Sequence, residues 1–204
     1  MINKTTIILF LTTLQLAAYA QQTYQLDPKK SKILWNTRNT VGGHNGYLLF
    51  NTGNLNYSPA GQPAGGYFSM DMNSIRSTDH AVAAENQKVD KELRKPGFFD
   101  IEKYPQATMD IRQIAATDKA NTYKVTGDLT IKGITNPIDF LAIITKKGNT
   151  IIAKAEVEIH RLKWKIDLQP EPKAWDLVSA VKDKMIADEI VISLNLVFNN
   201  IPEK

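Results

Sequence analysis

The sequence predicts a mostly-β protein: an antiparallel sheet, closed as a barrel or stacked as a sandwich, with a single helix. Three observations predict it. Apolar and polar residues alternate with period two over most of the chain beyond residue 20. Short clusters of Gly, Asn and Pro separate the alternating runs. Only Asp79–Arg94 switches to helical spacing.

The chain opens with a segment of a different kind. Lys4 supplies a positive charge, Ile7–Leu11 with Leu14 and Leu16 form an apolar stretch, and Ala18-Tyr19-Ala20 places small residues where a signal peptidase reads. Thr12, Thr13 and Gln15 interrupt the stretch, which makes it short for the roughly 20 residues a membrane-spanning helix needs. The expectation is cleavage before Gln21, leaving one domain over residues 21–204, periplasmic or secreted, with no integral membrane anchor. No cysteine follows as a lipid attachment point or a thiol ligand.

The strands are expected as follows. In Lys32–Thr37, Ile33, Trp35 and Thr37 share one face. Phe68, Met70 and Met72 alternate with Ser69 and Asp71, and Ala107, Met109 and Ile111 with Thr108 and Asp110. Val125, Gly127, Leu129 and Ile131 form the next face, followed after Pro137 by Ile138, Phe140, Ala142 and Ile144. Ala153, Ala155, Val157 and Ile159 come next, and Ile190–Phe198 closes the series. One apolar and one polar face per strand marks an antiparallel sheet with a wet side. Gly42-Gly43, Asn45-Gly46, Gly53-Asn54, Pro59–Gly66 and Gly148-Asn149 read as turns.

In Asp79–Arg94, Val82, Asn86, Val89 and Leu93 fall on one helical face. Thr78 or Asp79 is the expected N-cap, and Pro96-Gly97 the stop. The helix is expected to cover an end or side of the sheet.

Charge and motifs exclude several functions. The chain has 25 Lys and Arg against 21 Asp and Glu, a net +4 in which one unit comes from Lys4. Basic and acidic residues are interspersed, so no nucleic-acid partner is expected. The three histidines, His44, His80 and His160, are not spaced along the chain as a metal pair, and no metal site is expected. No nucleophile elbow and no phosphate-cradling glycine loop appears. Catalytic residues and a resident cofactor are therefore not expected.

A set of phrases in fixed order carries more information. Tyr24-Gln25-Leu26-Asp27-Pro28 is followed by Ser31–Trp35, Gly43–Gly46 and Met70–Ile75. After the helical stretch come Phe98–Thr108, FFDIEKYPQAT, and then Gly127–Pro137, GDLTIKGITNP. In these phrases the chain resembles the YceI family of periplasmic, lipocalin-like proteins described as polyisoprenoid-binding. The resemblance spans nearly all of residues 21–204. It implies an eight-stranded antiparallel barrel with one amphipathic helix and a long apolar cavity for an isoprenoid chain. Late in the chain the family often has an Asp-Arg-Thr-x-(Phe/Trp)-Gly phrase. Here it reads His160-Arg161-Leu162-Lys163-Trp164-Lys165, so Arg161 and Trp164 match while the acidic, Thr and Gly positions do not. Arg38-Asn39 stands where many members have a basic-His pair.

A barrel of this size either fills its interior with side chains or holds one small ligand. Large inward candidates (Trp35, Phe68, Met70, Met72, Met109, Phe140, Phe198) mix with small ones (Gly127, Ala142, Ala153, Ala155), which fits either arrangement. With the resemblance, the candidate cavity lining and gate are Trp35, Phe68, Met70, Met72, Phe98, Phe99, Leu129, Phe140, Ala142, Ala155 and Trp164. One ring of Phe98-Phe99 is expected to gate and the other to pack under the helix. His44 and Arg161 are the head-group candidates at a mouth. The partner implied is an apolar lipid, isoprenoid or fatty-acyl. The expected function is non-catalytic carriage of a quinone or polyprenyl phosphate; the alternative is a stress-response or interaction module with a filled core. The sequence selects neither a monomer nor a homodimer.

Overall fold

The computed structural model describes residues 21–37, 43–166 and 188–200. Among these residues nine strands and one α-helix appear in the order β1 (Gln22–Leu26), β2 (Lys32–Thr37), β3 (Asn45–Tyr57), β4 (Pro63–Ser77), α1 (Ala83–Arg94), β5 (Gln106–Ala116), β6 (Thr122–Ile131), β7 (Ile134–Lys147), β8 (Thr150–His160) and β9 (Glu189–Asn200). A 3-10 turn, Arg161–Trp164, follows β8. All pairings are antiparallel, and the β3–β4 pairing closes the sheet on itself.

Nine strands make eight staves. β1 and β2 both lie between β3 and β9, β1 opposite Asn54–Tyr57 and β2 opposite Asn45–Leu48. They are two halves of one stave, broken by Asp27–Ser31. Ser31 repairs the break. It is fully buried, and its hydroxyl oxygen accepts from the Val197 amide at 3.0 Å, while the Asp27 amide donates to the Val197 carbonyl at 2.8 Å.

The alternation expected for β2, β5, β6, β8 and β9 appears as alternating burial, and the inward side chains form one core. Two stretches expected as turns are strand instead. Asn45-Gly46 and Gly53-Asn54 both lie inside β3. These glycines mark close approach, not reversal. A Cβ on Gly46 would sit 1.8 Å from the Arg76 carbonyl oxygen, and one on Gly53 would sit 2.5 Å from the Phe68 ring. Likewise Pro63–Gly66 begins β4, so only Ser58–Gln62 turns. Gly148-Asn149 is the expected two-residue hairpin, with Gly148 at φ 58°. A second hairpin, at Lys132-Gly133, has both residues at positive φ (53° and 70°), as a primed turn requires. β7 accordingly begins at Ile134 and includes Pro137. Pro137 is accommodated where β7 has a partner on one side only, since β8 pairs with β7 from Ala142 onward.

The helix begins later than its expected start at residue 79. Val82 is its N-cap, without a side-chain bond, and Lys95 its C-cap. Asp79 does not cap because its carboxylate is engaged by Ser77, His44 and His80. Asn86 holds the preceding loop instead, accepting from the His80 amide at 3.0 Å and donating to the His80 carbonyl at 2.8 Å. Val82, expected on the apolar face, is 61% exposed. α1 crosses one end of the barrel. Asp90 accepts from the Ser77 amide at 2.6 Å, and Arg94 donates to the Asn73 carbonyl at 2.6 Å, fixing the helix to β4. Gly42, Arg38-Asn39 and the expected export segment lie outside the described residues.

Candidate ligand cavity and its rim

Inside the barrel is a cavity of about 410 Å³, within the range typical of small-molecule sites. Among the described residues its lining is apolar except for Thr37, His44, Glu92, Lys154 and Arg161. Of the residues singled out from sequence, Trp35, Phe68, Met70, Met72, Phe98, Phe99, Leu129, Phe140, Ala142 and Ala155 lie on its wall, as do His44 and Arg161.

Aromatic rings cluster toward the far end. Phe68 packs against Phe50 and Phe198 at centroid distances of 5.9 and 6.0 Å. Tyr24 and Tyr57, 5.2 Å apart and both buried, lie at the same end. The Lys146 ammonium sits 5.2 and 5.4 Å from their ring centres. Burial, with the neighbouring Tyr123 and Tyr24, pushes the Tyr57 phenol up to about 12.

The near end is covered by α1 and the segment after it. Val89 and Leu93 of the helix and both Phe98 and Phe99 line the cavity. The expected division of labour between the two rings is not seen: both are half-buried and both face the interior. Main-chain bonds from Phe98 to Lys95, Phe99 to Leu93 and Ile101 to Arg94 fold this segment back under the helix.

Trp164 corrects an expectation. It is 1% exposed but is not part of the cavity wall. The β7–β8 ladder stops at Ala142 opposite Ala155, leaving a seam between Ile134–Leu141 and the end of β8. The 3-10 turn bridges to the β6–β7 side of that seam. The Trp164 indole N–H donates to the Leu129 carbonyl at 3.0 Å, and Asn136 donates to the Lys163 carbonyl at 3.0 Å. Lys132 reaches the Lys165 carbonyl at 2.8 Å and the Pro96 carbonyl at 3.0 Å. Trp164 is thus a wedge at the seam.

Arg161 also differs from a solvated rim arginine. It is 6% exposed. Its guanidinium donates to the Ile166 carbonyl at 2.9 Å and pairs with Asp188 at 3.0 Å, and its amide donates to the Asp188 carbonyl at 2.9 Å. It ties the end of β8 to the start of β9 while contributing to the wall.

His44 stands at the rim. Its Nδ1 lies 2.9 Å from Asp79 Oδ2, and His80 Nε2 lies 3.2 Å from the same oxygen. Burial pushes the Asp79 carboxyl up, but the Ser77 hydroxyl and His44 outweigh it and hold it at about 2. His44 and His80, far apart in sequence, are neighbours in space, with ring centres 5.8 Å apart. Sequence spacing gave no sign of this. It also missed Phe50 and Leu55 of the wall, because the glycine between them read as a turn.

Residues 24–198 match the model of the YceI-like domain. The chain belongs to the YceI family. Among curated YceI relatives, Protein YceI of Escherichia coli is 27% identical over 120 residues, 55% of this chain and 62% of that protein. A UPF0312 protein of Photorhabdus laumondii is 29% identical over 101 residues, 46% of this chain and 52% of its own. These matches span about half to three-fifths of the relatives' length. Solved structures share the YceI fold. BcnA of Burkholderia cenocepacia superposes with a TM-score of 0.66 at 23% identity, covering 84% of this chain and 98% of its own. A polyisoprenoid binding domain from Saccharophagus degradans gives 0.62 at 15% identity, covering 88% and 99%.

Proposed function

We propose that this YceI-family protein binds and carries a long apolar lipid, of the isoprenoid quinone or polyprenyl phosphate type, inside its barrel and without chemistry on it. The observation that carries the reading is the cavity: about 410 Å³, mostly apolar along its walls, with Phe50, Phe68 and Phe198 clustered toward one end and Val89 and Leu93 of the helix lining the other. The polyisoprenoid-binding domain of Saccharophagus degradans, built on the same fold, supports the ligand class. A filled-core interaction module leaves this cavity without a purpose. The export segment read at residues 1–20 would place the carrier outside the cytoplasm. Among the described residues no helix is long and apolar enough to cross a membrane.

Magnitudes define the cargo. At about 30 Å³ per small group, 410 Å³ holds roughly 14 carbons, or about three isoprene units. Burying them contributes roughly 11 kcal/mol at about 0.8 kcal/mol per carbon. Association costs about 4–15 kcal/mol. Affinity therefore depends on filling the whole cavity. A two-unit chain, contributing about 8 kcal/mol, binds far more weakly than a three-unit chain. Fatty-acyl chains of similar length fill the same space, and selection between the two classes falls to the rim.

The test is a titration of delipidated protein with prenyl phosphates of two, three, four and more units, followed by the fluorescence of Trp35 on the wall. Affinity should rise steeply to about three units and then level off. An affinity independent of chain length would mean that the chain is not held in the cavity.

A further inference from the structure

We propose that His44, Asp79 and His80 form a divalent transition-metal site, of the class that takes Zn(II), on the rim of the barrel. The three side chains come from the loop before β3 and the loop between β4 and α1. Each offers one donor atom, and the three atoms lie within 4.8 Å of one another. Two imidazole nitrogens converge on a single carboxylate oxygen, at 2.9 and 3.2 Å. Zn–N and Zn–O bonds of about 2.0–2.2 Å in a tetrahedral shell place neighbouring ligand atoms of a zinc ion roughly 3.3–3.6 Å apart. The His80–Asp79 separation lies just inside such an edge, and the shorter His44–Asp79 separation opens to it by a small side-chain rotation. Two histidines and one carboxylate are also a donor set that zinc takes in sites with an open position.

The surroundings hold these donors in place, as the partners of metal ligands do. Ser77 donates to the Asp79 oxygen that faces away from the histidines, leaving Oδ2 as the ligand atom. Asn86 grips the His80 main chain from both sides. Thr37 fixes His44: its hydroxyl oxygen accepts from the His44 amide at 3.1 Å, and its own amide donates to the His44 carbonyl at 2.8 Å. The His44 and His80 side chains are 48% and 41% exposed, while that of Asp79 is 11% exposed. An ion would therefore enter from solvent onto a largely covered carboxylate. Three protein donors leave at least one position of a four-coordinate ion open, beside the cavity wall to which His44 belongs. The site stands whether or not the cavity carries a lipid.

The test is equilibrium dialysis of chelator-stripped, delipidated protein against Zn(II), with metal analysis. One zinc per chain is expected. His80→Ala and Asp79→Asn should each weaken binding by at least about tenfold, since loss of a ligand's supporting partner alone costs 10–100-fold. His160→Ala, on the outer face of β8, should change nothing. A nuclear magnetic resonance titration gives a readout on the unaltered chain: the His44 and His80 ring signals should move with added zinc and that of His160 should not. Less than a tenth of a zinc per chain, or undiminished binding by a folded His80→Ala protein, overturns the site.

Discussion

Ala142 and Ala155 face each other across the β7–β8 ladder at the point where it ends, and both line the cavity. Replacing Ala142 by Phe adds six carbons to that wall. If they enter the cavity, they displace up to six of the roughly 14 carbons a cargo would bury. At about 0.8 kcal/mol each, the cargo loses about 5 kcal/mol of burial, and its Kd rises by three to four orders of magnitude. The same substitution reports on the cavity independently of any ligand. In a tightly filled core the added ring costs about 1–3 kcal/mol, a fall in Tm of about 2–12 °C for a chain of this length. In an open cavity it is accommodated, and Tm holds or rises. The assay pairs thermal unfolding of the lipid-free protein with calorimetric titration of a three-unit prenyl phosphate. Held Tm with lost binding is the expected result. A large fall in Tm would show that the space is not there, and unchanged affinity at unchanged Tm would show that cargo does not occupy it.

Other substitutions test the surroundings. The raised Tyr57 phenol has a defined sign: the fold keeps it protonated to about pH 12, while the unfolded chain releases the proton above the ordinary value of 10. Its contribution is complete below pH 10 and is lost as pH rises from 10 to 12, by about 2–3 kcal/mol; chemical denaturation of Tyr57→Phe across that window should show a shallower loss than the parent. Gly127→Ala should destabilise by about 1–3 kcal/mol, because its Cβ would meet the Asp110 carbonyl oxygen at 2.2 Å and Met109 Cε at 2.7 Å; urea midpoints measure it. Arg161→Met removes the bonds to Ile166 and Asp188. It should lower stability by about 1.5–3 kcal/mol, the worth of hydrogen bonds to a charged group, with faster amide exchange at the end of β8.

The barrel was legible wherever a strand kept one wet face. β2, β5, β6, β8 and β9 announce themselves because solvent on one side and core on the other enforce period two. β3 was hidden because its glycines serve close backbone approach to Arg76 and the Phe68 ring, a demand set by strands distant in sequence. The start of α1 was misplaced for a similar reason. Asp79 is a good cap by local chemistry, but a histidine from another loop and the neighbouring His80 and Ser77 engage its carboxylate. The wall of the candidate site was legible because inward-facing apolar residues of a barrel can only line or fill its interior. Trp164 was not, because an inward aromatic reads alike on the wall and at a seam, and the seam exists only where the β7–β8 ladder ends. The rim cluster was invisible for the same cause: His44 and His80 are joined by topology alone.

Carriage requires that the cavity hold a lipid in the cell. Organic extraction of the protein purified from its native compartment, followed by mass spectrometry, tests it most directly. About one long-chain apolar lipid per protein chain is expected, reduced to a trace in the Ala142→Phe variant prepared alongside. Native protein that yields no lipid, and takes up neither added quinone nor added polyprenyl phosphate, would contradict it.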